Sequence, residues 1–278
     1  MEGRNNRWWS AVAVLLLASC AHVRPADPVP PHDEFTVDSK VLGEQRAVNV
    51  SLPVEYDGAR AFPVVYMPDG ALDEDFPHVA NTLLELTKRG DIEPVILVGI
   101  PNTVRRRDLT PPTEVEEDKK VAPVVGGSAK FRQFIREELF PAIEAKYRVT
   151  QQRTIVGESL AGLFIIETLF LEPELFSGYV AFSPSLWWNE HELVRKAEAR
   201  FLSWNGRSGA LYFTAADETD IRPHTDALQF ILSKAQPGGL YTTYAPKPQE
   251  HHHTIFRAAK EEGLRTVLRA LQASSRSP

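Results

Sequence analysis

The sequence predicts an α/β fold in which a mostly parallel, doubly wound sheet carries helices on both faces. Short apolar runs that read as strands alternate along most of the chain with amphipathic runs of helical period. Several of the strand runs are apolar nearly throughout instead of alternating, as a parallel strand covered on both faces requires. A chain of 278 residues, 43% hydrophobic and 24% charged, is also long enough to bury one large core.

Taken in order, Glu34 to Lys40 and Arg46 to Leu52 alternate polar and apolar residues, the pattern of paired antiparallel strands. Phe62-Pro63-Val64-Val65-Tyr66-Met67 is a buried-strand run that ends in Pro68-Asp69-Gly70-Ala71, and a helix follows over about His78 to Lys88. Pro94 to Ile100 is the second buried strand, and Pro101 to Val125 is a long polar loop. Phe131, Phe134, Ile135, Leu139 and Ile143 fall at helical spacing with charges opposite. Arg153-Thr154-Ile155-Val156 is a strand, Leu163-Phe164-Ile165-Ile166 opens a helix, and Gly178 to Ser183 is a further strand. The rest alternates: helix Glu190 to Leu202, strand Ala210 to Ala215, helix Thr225 to Lys234, strand Leu240 to Tyr244, helix Ile255 to Leu271.

The first residues follow a different logic. Arg4 and Arg7 precede a short apolar stretch, Trp8 to Leu17, and then comes Leu17-Ala18-Ser19-Cys20. That stretch is too short to span a bilayer comfortably, but it fits a secretory signal peptide. Its end resembles a bacterial lipoprotein box, so residues 1–19 are expected to be a signal peptide and Cys20 the lipidated first mature residue. Cys20 is the single cysteine and forms no internal disulfide. Residues 20–33, with four prolines between Ala21 and His32, read as a tether, and 34–274 as one domain. Ala21, which is not aspartate, implies by that resemblance the outer membrane, facing the periplasm. The formal charge of −6 and the absence of long basic blocks exclude nucleic acid as the main partner.

Gly157-Glu158-Ser159-Leu160-Ala161-Gly162 carries the chemistry. A serine between a strand and a helix, flanked by small residues, is lifted clear of the sheet edge, and the helix N-terminus lies beneath developing negative charge. The usual pattern is G-x-S-x-G, and Ala161 stands at its last position. Such a nucleophile needs an acid and then a histidine, on loops past the later strands, and Asp217-Glu218-Thr219-Asp220 and Glu250-His251-His252-His253-Thr254 lie there. In an extended segment His252 opposes His251 and His253, so the residues alone leave the choice of base open. Adjacent histidines do not easily converge on one ion, so no metal or other cofactor is expected. Leu160 and Ala71 are the expected backbone oxyanion donors. Arg105-Arg106-Arg107, with Arg107 as the candidate, either faces the cleft and meets an anionic or catechol-like substrate or belongs to a solvated loop; Glu114 to Lys120 reads as solvated. Trp187 and Trp188, after Ser183-Pro184-Ser185-Leu186, either wall an acyl or aromatic pocket or pack a helix.

These segments together resemble the esterase family of α/β-hydrolases that takes in enterochelin-type siderophore esterases, feruloyl esterases, S-formylglutathione hydrolases and mycolyltransferases. The likeness runs from about Phe35 to Leu271. It rests on Tyr66-Met67-Pro68-Asp69-Gly70, Val98 to Thr103 leading into Arg107 to Pro111, Gly126-Gly127, the serine turn, Ser183 to Trp188, and Glu250 to Thr254. It implies the α/β-hydrolase fold, Ser159 as nucleophile, His252 as base, and Ala71 and Leu160 as oxyanion donors. It places the acid at Glu218, with Asp220 the rival, and some members work with a Ser–His dyad. It departs at Ala161 and at Ala216, where a glycine is common.

The implied activity is hydrolysis of a carboxylic ester or lactone, of siderophore type or aromatic, through an acyl-enzyme. An acyltransferase of the same fold is one alternative. A ligand-binding surface lipoprotein without turnover is the other. The partners expected are a small-molecule ester and, through Cys20, a membrane.

Overall fold

The computed structural model describes residues 27–121, 124–204 and 206–276, so the expected signal peptide and Cys20 lie outside the described residues. Among the described residues eight strands form one sheet: β1 (Asp33–Ser39), β2 (Glu44–Ser51), β3 (Phe62–Pro68), β4 (Ile96–Ile100), β5 (Val149–Glu158), β6 (Gly178–Phe182), β7 (Gly209–Thr214) and β8 (Leu240–Tyr244). Their order is β1-β2-β4-β3-β5-β6-β7-β8. The first hairpin is antiparallel and β2 joins β4 antiparallel; every later pairing is parallel. The expected α/β-hydrolase architecture is therefore present.

Side-chain alternation along the strands divides the core in two. Val65, Met67, Leu97, Val156, Val180 and Tyr212 face one side. There they meet α1 (Phe76–Lys88) and α9 (His252–Arg276). Val64, Tyr66, Ile96, Ile155, Leu211 and Phe213 face the other. That side is covered by α4 (Ser128–Phe134), α5 (Phe140–Lys146), α6 (Leu160–Leu171), α7 (Trp188–Leu202) and α8 (Arg222–Ala235). A π-helical turn, Ile135–Leu139, joins α4 to α5. The apolar strand runs follow from this layering, because both neighbours along a strand are buried.

Three expectations change. The run from Pro101 to Val125 is not a plain loop: it holds α2 (Arg105–Leu109) and α3 (Glu116–Val121). Glu114 to Lys120 is not wholly solvated, since Asp118 is buried and accepts hydrogen bonds from Thr113 Oγ1 (2.7 Å) and from the Asn189 N–H (2.8 Å). A pinned polar segment has no apolar period for a sequence pattern to show. The end of the presumed tether also packs: Asp27 pairs with Arg257, Asn81 donates to the Pro28 carbonyl (2.7 Å), and the His32 ring meets Phe76 edge-on at 6.0 Å.

Candidate active site

β5 ends at Glu158 and α6 begins at Leu160, so Ser159 occupies the turn between them with φ 60° and ψ −118°. Its N–H donates to the Phe182 carbonyl (2.9 Å), and its own carbonyl accepts from Leu163 and Ser185. A tight turn of this kind needs small neighbours. A Cβ on Gly157 would lie 2.6 Å from that of Ala161, and one on Gly162 would lie 2.9 Å from Pro184. Ala161 therefore fits where the motif has glycine because Gly157 leaves it room.

The acid and the histidine arrive from adjacent loops. The loop after β7 is stitched to the loop before α9 by the Asp217 N–H on the Glu250 carbonyl (3.1 Å) and the Lys247 N–H on the Ala215 carbonyl (2.8 Å). Across this seam Glu218 Oε1 lies 2.9 Å from Nδ1 of His252, and Nε2 of His252 lies 3.1 Å from Ser159 Oγ. With a carboxylate acceptor at Nδ1, the ring carries its proton there, and Nε2 accepts from the serine hydroxyl. His251 and His253 turn elsewhere: their rings lie 5.8 Å apart, nearly parallel, and His251 pairs with Asp217. Of the three histidines, His252 is the one whose ring reaches Ser159 Oγ. Asp220, the rival acid, is exposed on the turn beyond Glu218.

The expected oxyanion donors stand on two elements. Leu160 is the first residue of α6, where an N–H has no acceptor within the helix. Ala71 follows Gly70, whose hydrogen points at the end of β4; a Cβ there would lie 2.2 Å from the Ile100 nitrogen. The Ala71 N–H is occupied, however, by Glu74 Oε2 at 2.9 Å. Asn102 bridges Glu74 Oε1 (2.7 Å) to Asp69 Oδ1 (2.5 Å).

Arg107 is not the arginine that approaches the serine turn. Its guanidinium grips Glu44 (2.7 and 3.0 Å) and Asp108 (2.6 Å), and the Arg107 hydrogen bond holds the Glu44 carboxyl down to about 2. Arg105 takes the nearer place: it binds Asp69 bidentately (2.6 and 2.8 Å), and its Nη2 stands 3.5 Å from the Glu158 carbonyl oxygen. Nothing in the triplet distinguished the three by type; α2 sets which way each points. Trp188 is also corrected. It is buried, donates from Nε1 to the Pro111 carbonyl (2.9 Å), and so ties the loop after α2 to α7. Trp187 is half-buried beside it, ring centroids 5.7 Å apart.

Two groups at the site were not singled out from sequence. Ser185 is buried with its Oγ 3.4 Å from Ser159 Oγ. Glu158 carries a largely buried carboxyl whose Oε1 has no hydrogen-bond partner among the described residues. Burial first, and then the charge of Asp75, push its pKa up to about 8; Arg105 opposes, and Asp69 and Glu218 add to the rise.

Comparison with known proteins points to the same fold and to esterases. The chain is 31% identical over 169 residues to the ferri-bacillibactin esterase BesA of Bacillus subtilis, covering 54% of this chain and 56% of that protein. It is 31% identical over 187 residues to the siderophore triacetylfusarinine C esterase of Aspergillus fumigatus, covering 62% of each. The chain thus spans about three fifths of the length of these curated relatives. Among solved structures, an IroE-like serine hydrolase from Shewanella oneidensis superposes with a TM-score of 0.78 at 29% identity, over 86% of this chain and 80% of that one. The family model described as "Putative esterase" matches residues 39–222, a span that includes Ser159 and Glu218. With that match over most of its length, a doubly wound sheet and a serine on the expected turn, the chain belongs to this esterase family.

Proposed function

We propose that the protein is a serine esterase that hydrolyses a carboxylic ester or lactone through an acyl-enzyme on Ser159. The observation that carries the proposal is the continuous chain Glu218–His252–Ser159, with contacts of 2.9 and 3.1 Å. In the reaction, Ser159 Oγ attacks the ester carbonyl carbon and its proton passes to His252 Nε2. Glu218 holds the proton of Nδ1 and stabilises the imidazolium that forms. The carbonyl oxygen, now negative, takes the Leu160 N–H and the Ala71 N–H, displacing Glu74 from the latter. His252 returns its proton to the leaving alcohol. Water then enters by the same route in reverse, its proton going to His252 and then to Ser159 Oγ as the acyl–oxygen bond breaks.

The substrate class we favour is the ester or lactone linkage of a siderophore, because the named relatives act on such molecules. Half-buried Trp187 is the remaining candidate for an acyl or aromatic contact. We further place the protein in the cell envelope, held by lipid on Cys20 and facing the periplasm from the outer membrane. That placement rests on the order of charge, apolar stretch and box in residues 1–20.

The test is turnover of p-nitrophenyl acetate and butyrate, then of a trilactone siderophore, by the wild type, Ser159→Ala and His252→Ala. Activity lost in both variants is the expected result. An inactive wild type whose Ser159 is also unlabelled by a fluorophosphonate would overturn the esterase reading. A Cys20→Ala chain recovered free of membranes, against a membrane-bound wild type, tests the anchor.

A further inference from the structure

Ser185 is held against the nucleophile by a framework of its own. Its N–H donates to the Ser159 carbonyl (3.1 Å), and its carbonyl accepts from the Trp188 N–H (3.2 Å). Before it, Pro184 packs on Gly162, leaving no room for a Cβ there, and the Ser183 N–H donates to the Thr214 carbonyl (3.0 Å). Ser185 is 2% exposed, so water does not compete freely for its hydroxyl. Among the described residues that hydroxyl has one hydrogen-bond partner, Ser159 Oγ, at 3.4 Å.

The direction of this contact follows from counting protons. Ser159 has a single hydroxyl hydrogen. Nε2 of His252 is an acceptor, because Glu218 fixes the ring proton on Nδ1, and the Ser159 hydrogen therefore points to Nε2 at 3.1 Å. Between the two serines the hydrogen must then come from Ser185, which donates to a lone pair of Ser159 Oγ. A separation of 3.4 Å makes the bond weak in the resting protein. It strengthens when Oγ becomes negative, since a charged acceptor shortens and reinforces a hydrogen bond.

We propose that Ser185 is a further catalytic residue, a fixed hydroxyl donor to the Ser159 oxygen while that oxygen carries charge. Negative charge builds on Oγ twice. During acylation it grows as the proton leaves for His252 and before the bond to the carbonyl carbon is complete. During deacylation Ser159 Oγ is the leaving atom: water forms the new bond to the acyl carbon, the old carbon–oxygen bond breaks, and the electron pair returns to Oγ before His252 delivers the proton. Ser185 keeps its own hydrogen throughout. In the neutral ground state its contribution is small, so the effect belongs in kcat and not in KM.

This inference rests on Ser159 being the nucleophile, and the experiment separates the two. Ser185→Ala and Ser185→Thr are compared with wild type in kcat and KM for p-nitrophenyl butyrate, in the rate of fluorophosphonate labelling, and in thermal unfolding. A hydrogen bond to a charged atom corresponds to roughly a 10- to 100-fold change in rate. Ser185→Ala is expected to lose that much in kcat and in labelling, with KM unchanged and a wild-type unfolding curve, while Ser185→Thr, which keeps the hydroxyl, recovers most of it. Wild-type kcat and labelling in Ser185→Ala would overturn the proposal and leave the esterase reading standing. So would a loss that threonine does not restore when both variants unfold like the wild type. A wild type silent in both turnover and labelling would overturn the esterase reading, and this proposal with it.

Discussion

The Asp217 carboxylate lies 2.6 Å from Nδ1 of His251, one residue back on each loop from the contact between Glu218 and His252. The outer pair is exposed at both ends and the inner pair is partly sheltered, with the Glu218 side chain 8% exposed. Two histidine–carboxylate contacts of similar geometry thus stand side by side, and only the inner one continues to the serine. Even a charged pair this exposed contributes only about 0–1 kcal/mol. His251→Ala is accordingly expected to keep kcat/KM within a few-fold of wild type, whereas His252→Ala loses roughly 10²- to 10⁴-fold. Ester turnover by the two variants decides it, and a dominant loss in His251→Ala would reverse the assignment.

Glu218 and Asp220 separate in the same way. Glu218→Gln leaves the shape but replaces the acceptor that fixes the ring tautomer, a change that costs roughly 10²- to 10⁴-fold where the acid is needed. Asp220→Asn alters an exposed turn and is expected to leave turnover unchanged. Equal activity in both variants would show that the Ser159–His252 dyad suffices.

Glu158 gives the protein a pH-dependent stability. Its pKa rises from 4.5 to about 8 on folding, chiefly through burial and then through Asp75. Between these values the folded protein holds a proton that the unfolded chain has released, so folding loses stability as pH rises through that window. The contribution is full below pH 4.5 and gone once pH passes about 8. Glu158→Gln cannot ionise, and its stability should gain on wild type steadily from pH 5 to pH 8.5. Urea unfolding at several pH values measures this; parallel curves for the two proteins would refute it.

Gly157 and Ala161 form one steric pair at the serine turn. With the two Cβ atoms only 2.6 Å apart, Gly157→Ala overpacks the turn. Overpacking of this kind costs about 1–3 kcal/mol. Ala161→Gly, which restores the usual motif, costs helix propensity, about 1 kcal/mol at most, and one buried methyl, about 0.8 kcal/mol. Unfolding midpoints of the two variants provide the check, with Gly157→Ala expected to be the less stable.

The layered sheet was legible because burial on both faces leaves strands such as Ile96 to Ile100 apolar throughout, in short runs that alternate along the chain with amphipathic runs of helical period. The turn at Ser159 was legible because its small neighbours are required sterically. What composition and spacing did not carry was direction. Arg105, Arg106 and Arg107 are chemically identical in sequence, and the course of α2 decides that Arg105 meets Asp69 while Arg107 meets Glu44. Ser185 escaped notice for a related reason: the neighbouring tryptophans drew the reading toward aromatic walls, yet Trp188 is committed to the Pro111 carbonyl. The buried Asp118 stayed hidden in a run of charges because its partners, Thr113 and the Asn189 N–H, include a backbone group far along the chain.

The backbone angles at Ser159, φ 60° and ψ −118°, have a consequence for the stability of the chain. They lie where glycine rests without penalty and where any residue with a Cβ costs about 1–3 kcal/mol. A Ser159→Gly chain would therefore be inert and yet harder to unfold than its parent. On the proposed role of Ser159, the strain held in this turn is the stability that the chain gives up to present its hydroxyl.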